Sequence, residues 1–172
     1  MPRLKMRMLL LFAAVLAGSV PALAADPAKP EKQAAADIKL PPPPPGHGQV
    51  VFFRKGVMMG AAIGCTVHEN GKKISSLRGG RYFVMVAKPG KHAFSVKSEA
   101  TDVLTLEVEP DETQFASCRI KMGMMVGRPD IAPATEAEFR AVKSFKLVDA
   151  DDMGEGALRP DQMVPAVAPA AN

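Results

Sequence analysis

The sequence predicts a small antiparallel β-sandwich with one short helix near its C-terminal end. Three observations carry the prediction. Apolar residues recur at every second position through the middle of the chain, turn residues interrupt them at intervals of roughly ten residues, and a helical period emerges only after Pro133. About seven strands in roughly one hundred residues leave each sheet with one apolar face to cover, and two facing sheets are the economical solution.

Taken in order, Gln49–Lys55 (QVVFFRK) reads as the first strand and Ala61–Glu69 (AAIGCTVHE) as the second. Asn70–Gly71 accepts positive φ and joins the second strand to Lys72–Leu77 as a hairpin. Gly79–Gly80 leads into Arg81–Ala87 (RYFVMVA), and the Lys88-Pro89-Gly90-Lys91 turn leads into His92–Ser98. Asp102–Glu109 (DVLTLEVE) alternates cleanly before a turn at Pro110–Asp111, and Thr113–Met122 completes the set. Thr135-Glu136-Ala137-Glu138 fits a capping box, which starts a helix ending near Lys143. Phe139 and Val142 give that helix one apolar stripe, which places it across a sheet edge or end; the core needs no helix. Phe145, Leu147 and Val148 suit a final strand.

The ends of the chain read differently. Residues 1–24 combine a cationic head (MPRLKMRM), an apolar stretch from Leu9 to Val20 and an Ala-x-Ala exit at Ala22 and Ala24, the layout of a secretory signal peptide. The apolar stretch falls short of the ~20 residues needed to span a bilayer, and Pro21 interrupts it. No cysteine near the cut can accept a lipid. The expectation is a soluble periplasmic or secreted protein without a transmembrane anchor after cleavage. Residues 25–46, rich in Ala, Pro and Lys and ending in Pro41–Pro45, read as an extended linker. Residues 47–149 form the sandwich domain. Residues 150–172 have too little to bury to offset their ordering entropy and read as a disordered tail.

The chain carries 22 Lys and Arg against 18 Asp and Glu. Removal of residues 1–24, which hold Arg3, Lys5 and Arg7, leaves a nearly neutral protein with no electrostatic case for nucleic acid. Cys65 and Cys118, the only cysteines, both fall on strand faces that look inward, so a bridge between strands is favoured over two buried thiols. His47, His68 and His92 lack metal-ligand spacing, and no metal site or cofactor is expected. The alternative is a periplasmic copper protein using soft thioethers, since Met58, Met59, Met122, Met124 and Met125 cluster in sequence; adaptable apolar packing is the simpler account. Two apolar loops, Gly56–Ile63 and Gly123–Ile131, carry these methionines with Val126, and Arg128 stands at their rim. Such loops either cover each other or present an adaptable patch to an envelope protein, a lipid surface or a hydrophobic ligand. Arg54, Lys55, Arg78 and Arg81 either make a basic rim for envelope anions or, as is usual, are scattered solvated charge. No nucleophile elbow, phosphate loop or paired metal motif is visible, so a non-enzymatic binding or structural role is expected, with an enzyme site assembled from distant residues as the other alternative.

The order of these segments resembles the bacterial domain-of-unknown-function 2846 family of small exported proteins and lipoproteins. The resemblance runs from about Gln49 to Val148 and rests on VVFFRK, TVHENGKKISSLRGGRYFVMVAKPGKHAFSVKSE, DVLTLEVE and MGMMVGRPDIAPATEAEFRAV. Its central pieces are the Gly79–Phe83 strand entry and the turn at Pro89–His92. The same region is less specifically similar to PEGA-type β modules. The resemblance implies a transthyretin-type or immunoglobulin-type sandwich and export, and it carries no chemistry across. The family's lipoprotein members carry a lipid-accepting cysteine at the cleavage site, and this sequence has none there.

Overall fold

The computed structural model describes residues 30–58, 60–124 and 127–163. The segment read as a signal peptide lies outside the described residues. Ten strands follow one another: β1 (Lys32–Gln33), β2 (Gly48–Arg54), β3 (Cys65–Glu69), β4 (Lys72–Leu77), β5 (Arg81–Ala87), β6 (Gly90–Lys97), β7 (Thr101–Val108), β8 (Thr113–Met122), β9 (Gly127–Ala134) and β10 (Phe145–Leu147), with helix α1 (Glu136–Arg140) before the last. The β3–β4 hairpin turns on Asn70 and Gly71 at φ 48° and 77°. Second-strand pairing begins only at Cys65, because Gly60–Gly64 is taken up by turns.

The strands form two sheets, a six-stranded one ordered β1-β10-β5-β2-β8-β9 and a four-stranded one ordered β4-β3-β6-β7. The sandwich expectation holds, with two corrections. Among the described residues there are ten strands where about seven were expected, and the large sheet is mixed, since β2 runs parallel to β8 and β10 runs parallel to β5. Between the sheets, Phe52 stacks on Phe83 and meets Phe94 of the small sheet edge-on, both at 4.9 Å between ring centroids.

The large sheet is apolar on its other face as well, and this corrects the expected place of the helix. Every residue of β2 is buried, so the strand has no wet side. Phe139 of α1 is fully buried over the sheet's outer face, where it meets Phe53, Tyr82, Phe115 and Phe145. The helix therefore closes a second core layer and does not merely cover an edge. It starts on the predicted capping box, with Thr135 and Glu138 each accepting from the other's amide, and ends at Arg140, a turn earlier than expected.

Two segments read as tails are docked where they are described. Ahead of β2, Ala35 and Ile38 are buried; Arg140 holds their carbonyls at 3.0 and 2.5 Å, and Gln49 donates to the Pro41 carbonyl at 2.8 Å. Beyond β10, Val86 donates to Gly156 and Leu158 donates to Val84, extending the edge of β5 past β10, while Met153 and Met163 are buried. Two buried apolar residues anchor the first stretch and three, with Ala157, the second, a signal too sparse for sequence periodicity.

Candidate functional site

The methionine-bearing end is built by the β2–β3 loop and the β8–β9 hairpin. Their bases are pinned together: Cys65 opens β3, Cys118 lies within β8, and the two form a disulfide across the sheets with Cα atoms 6.6 Å apart. Above the bridge the loops touch. A Cβ on Gly60 would stand 2.9 Å from Ile120, and one on Gly127 would press on Ile63 and Ile120. Glycine is needed at Gly60 in any case, since its φ is +71°.

This contact partly covers the isoleucines and leaves the methionines out. Met58, Met124 and Met122 are 97%, 96% and 87% exposed, and Val57 beside them is also open to solvent. Met59, Met125 and Val126 lie outside the described residues. Arg128 sits half-buried in β9 opposite Lys121, at the base of the hairpin, and its Nε has no hydrogen-bond partner. The stretch expected as a loop to Ile131 is strand from Gly127 onward. Met124 is held through its amide, which donates to Glu99 at 3.1 Å.

Arg54 is not part of a basic rim. It shares the inward face with Val50 and Phe52, is only 1% exposed, and its guanidinium donates to the carbonyls of Ile63, Gly60 (2.7 Å) and Leu77 (3.4 Å). The buried cation thus ties the β2–β3 loop to the small sheet at the root of the methionine end, with every contact going to a carbonyl. Arg81 pairs with Asp149 at 3.1 Å, while Lys55 and Arg78 stay exposed.

At the opposite end, His92 Nδ1 lies 2.5 Å from Glu69 and Nε2 lies 2.8 Å from the Lys88 carbonyl. Burial acts on His92 first and lowers its pKa, but the hydrogen bonds to Glu69 and Lys88 and the charges of Glu69 and Glu107 outweigh it, leaving the pKa raised. The pair adds stability that is complete below the ordinary histidine value of about 6.5 and is lost as pH rises through the raised value. The urea midpoint is therefore expected to be higher near pH 6 than near pH 8.5, and His92→Gln should remove most of that difference. A variant that keeps the full difference would place its source elsewhere.

Among the described residues, no group of three His, Cys, Asp or Glu side chains is placed to hold a metal ion, and no helix is long and apolar enough to cross a membrane. A cleft at the far edge of the large sheet brings together Lys32, Lys143 and Lys146, which sequence reading did not single out. They are too far apart in sequence to show a local pattern. The only usable signal was β pairing, which sets Lys32 beside Lys146 and Lys146 beside Arg81.

No curated protein and no solved structure matches the chain. One family model does match, over residues 44–129, half of the chain, spanning β2 through β8 and the first residues of β9. The match stops before α1, which leaves the helix and β10 outside it. The chain belongs to the protein family of unknown function DUF2846.

Proposed function

We propose that this protein is an exported envelope module that works by binding, not catalysis, and that its contact surface is the methionine-bearing end. One observation carries the reading: Met58, Met122 and Met124 stand almost fully in solvent on two loops that are braced against each other. Exposed large apolar side chains concentrated at one end of a rigid scaffold mark a contact surface, and Met adapts to irregular partners. Side chains this exposed favour an extended partner, a lipid surface or an envelope protein, over a small hydrophobic ligand held in a cavity. The signal-like residues 1–24 support export, and the disulfide suits an oxidising compartment.

Burying a Met side chain contributes roughly 1.5–3 kcal/mol, so removing three is expected to reduce binding more than about tenfold. The test compares the protein with a Met58→Ser, Met122→Ser, Met124→Ser variant by flotation with vesicles of envelope lipids and by recovery from envelope extract. The variant should keep its melting temperature and lose both. Undiminished recovery in both assays would show that the contact surface lies elsewhere.

A further inference from the structure

We infer that the protein binds a multivalent phosphate-bearing anion in a cationic cleft at the β1–β10–β5 edge of the large sheet, a site that borders the β2–β3 loop at Gly56 and Val57 but is lined by none of the described methionines. The inference starts from register. Lys32 pairs with Lys146, Lys146 with Arg81, and Arg81 with Arg54, so four cations stand in one row across four neighbouring strands. Residues directly opposite one another in paired strands project from the same face, and like charges placed so are destabilising.

At the inner end of the row the charge of Arg54 is absorbed by backbone carbonyls. Further out, β10 and β1 carry the row past β5 into a cleft of about 590 Å³, where Lys55 and Lys143 join it. At about 30 Å³ per water this is room for roughly twenty waters, more than a single phosphate fills.

The counter-charge is thin. Asp149 alone answers Arg81 at 3.1 Å and Lys146 at 3.4 Å. It does not line the cleft, nor does any other carboxylate among the described residues. Among those residues Lys32, Lys55 and Lys143 form no ion pair. Scattered surface lysines are ordinarily interspersed with acids; here five cationic side chains converge on one concavity without one. A single-sign cleft of this kind concentrates field, and lysine ammonium groups are compact donors suited to phosphate oxygens. Backbone of Gly56, Gly79 and Gly80 lines the same concavity with no side chain to obstruct approach.

The phosphate groups would come either from a soluble polyanion or from lipid headgroups, and the experiment separates these. The purified protein is titrated with tripolyphosphate in a calorimeter and mixed with phosphatidylglycerol or phosphatidylcholine vesicles. A Lys32→Gln, Lys143→Gln, Lys146→Gln variant is compared with a Lys39→Gln, Lys91→Gln, Lys97→Gln variant that loses equal charge elsewhere on the surface. Expected is saturable tripolyphosphate binding that the cleft variant weakens by about tenfold or more and the control variant by no more than about twofold. Phosphatidylglycerol binding lost in the cleft variant assigns the phosphates to lipid; tripolyphosphate binding without vesicle binding assigns them to a soluble anion. Absence of saturable binding to both probes, or equal loss in the two variants, overturns the inference. Tripolyphosphate has no apolar part for the methionines to hold, so failure of its binding leaves the methionine-bearing surface untouched, while vesicle binding is read only as the difference between the cleft and control variants.

Discussion

Phe139→Ala is expected to destabilise the protein by about 3–5 kcal/mol, a large part of the roughly 5–15 kcal/mol that holds a domain folded. The Phe139 ring stacks on Phe145 at 4.9 Å and sits within 5.4–5.7 Å of Phe53, Tyr82 and Phe115. Truncation would leave a cavity bounded by four rings, three of them fixed on central strands of the sheet and so unable to collapse inward. The helix has little else to hold it. It spans five residues, and Phe139 is its one buried side chain. An isolated helix of that length does not persist in water. Losing the anchor also loosens Arg140, whose hydrogen bonds to Ala35 and Ile38 fasten the chain ahead of β2. Urea unfolding should show the loss directly, with Val142→Ala, at a partly buried position, costing less than half as much. A Phe139→Ala effect below about 1 kcal/mol would mean that the outer layer is not a core at all.

The same residue shows where the sequence could be read and where it could not. The capping box at Thr135–Glu138 is a local hydrogen-bond pattern, and it located the start of the helix. What the helix covers depends on β2, where Val50 and Phe52 face the small sheet while Val51 and Phe53 face α1. The unbroken apolar run VVFF was the available sign that both faces are buried. The same parity places Arg54 on the inward face, so it is neither part of a basic rim nor a solvated surface charge. β4, β5 and β8 were legible to the residue because tight turns bound them.

β9 was hidden by its prolines. Pro129 and Pro133 alternate with Ile131, whose amide donates to Asp102 on β7, so the proline positions face away from β8 and cost its ladder no hydrogen bond. An edge strand tolerates proline there, but nothing local in GRPDIAPA says which side would be paired. The parallel pairings β2–β8 and β10–β5 join segments about sixty residues apart, and the second of them builds the cationic cleft. Period and turn chemistry report on neighbours in sequence; none of these features is made by neighbours.

Removing the disulfide as a Cys65→Ala, Cys118→Ala pair is expected to lower stability by about 4 kcal/mol, because the bridge closes a loop of 53 residues and restricts the unfolded chain. Both cysteines are buried and alanine fits their space without a new polar group, so most of the loss should arise in the unfolded state. The signature is specific: the urea midpoint falls while the m-value rises, since an unfolded chain freed of the cross-link exposes more surface. A loss of unfolding free energy below about 1 kcal/mol would show that packing between the sheets already supplies the constraint.

The position of the bridge extends the prediction beyond stability. Cys65 follows the β2–β3 loop directly, and Cys118 precedes Ile120 and Met122 on the strand that leads into the β8–β9 hairpin. The bridge therefore fixes both loop bases, leaving Gly60 on Ile120 and Gly127 on Ile63 to set the loops against each other. In the double alanine variant the two methionine loops should exchange amide hydrogens faster than the far, Gly90–Val108 end of the β6–β7 ladder does, relative to the bridged protein. Uniform acceleration across both regions would assign the bridge to global stability alone; selective acceleration would make it the brace of the contact surface.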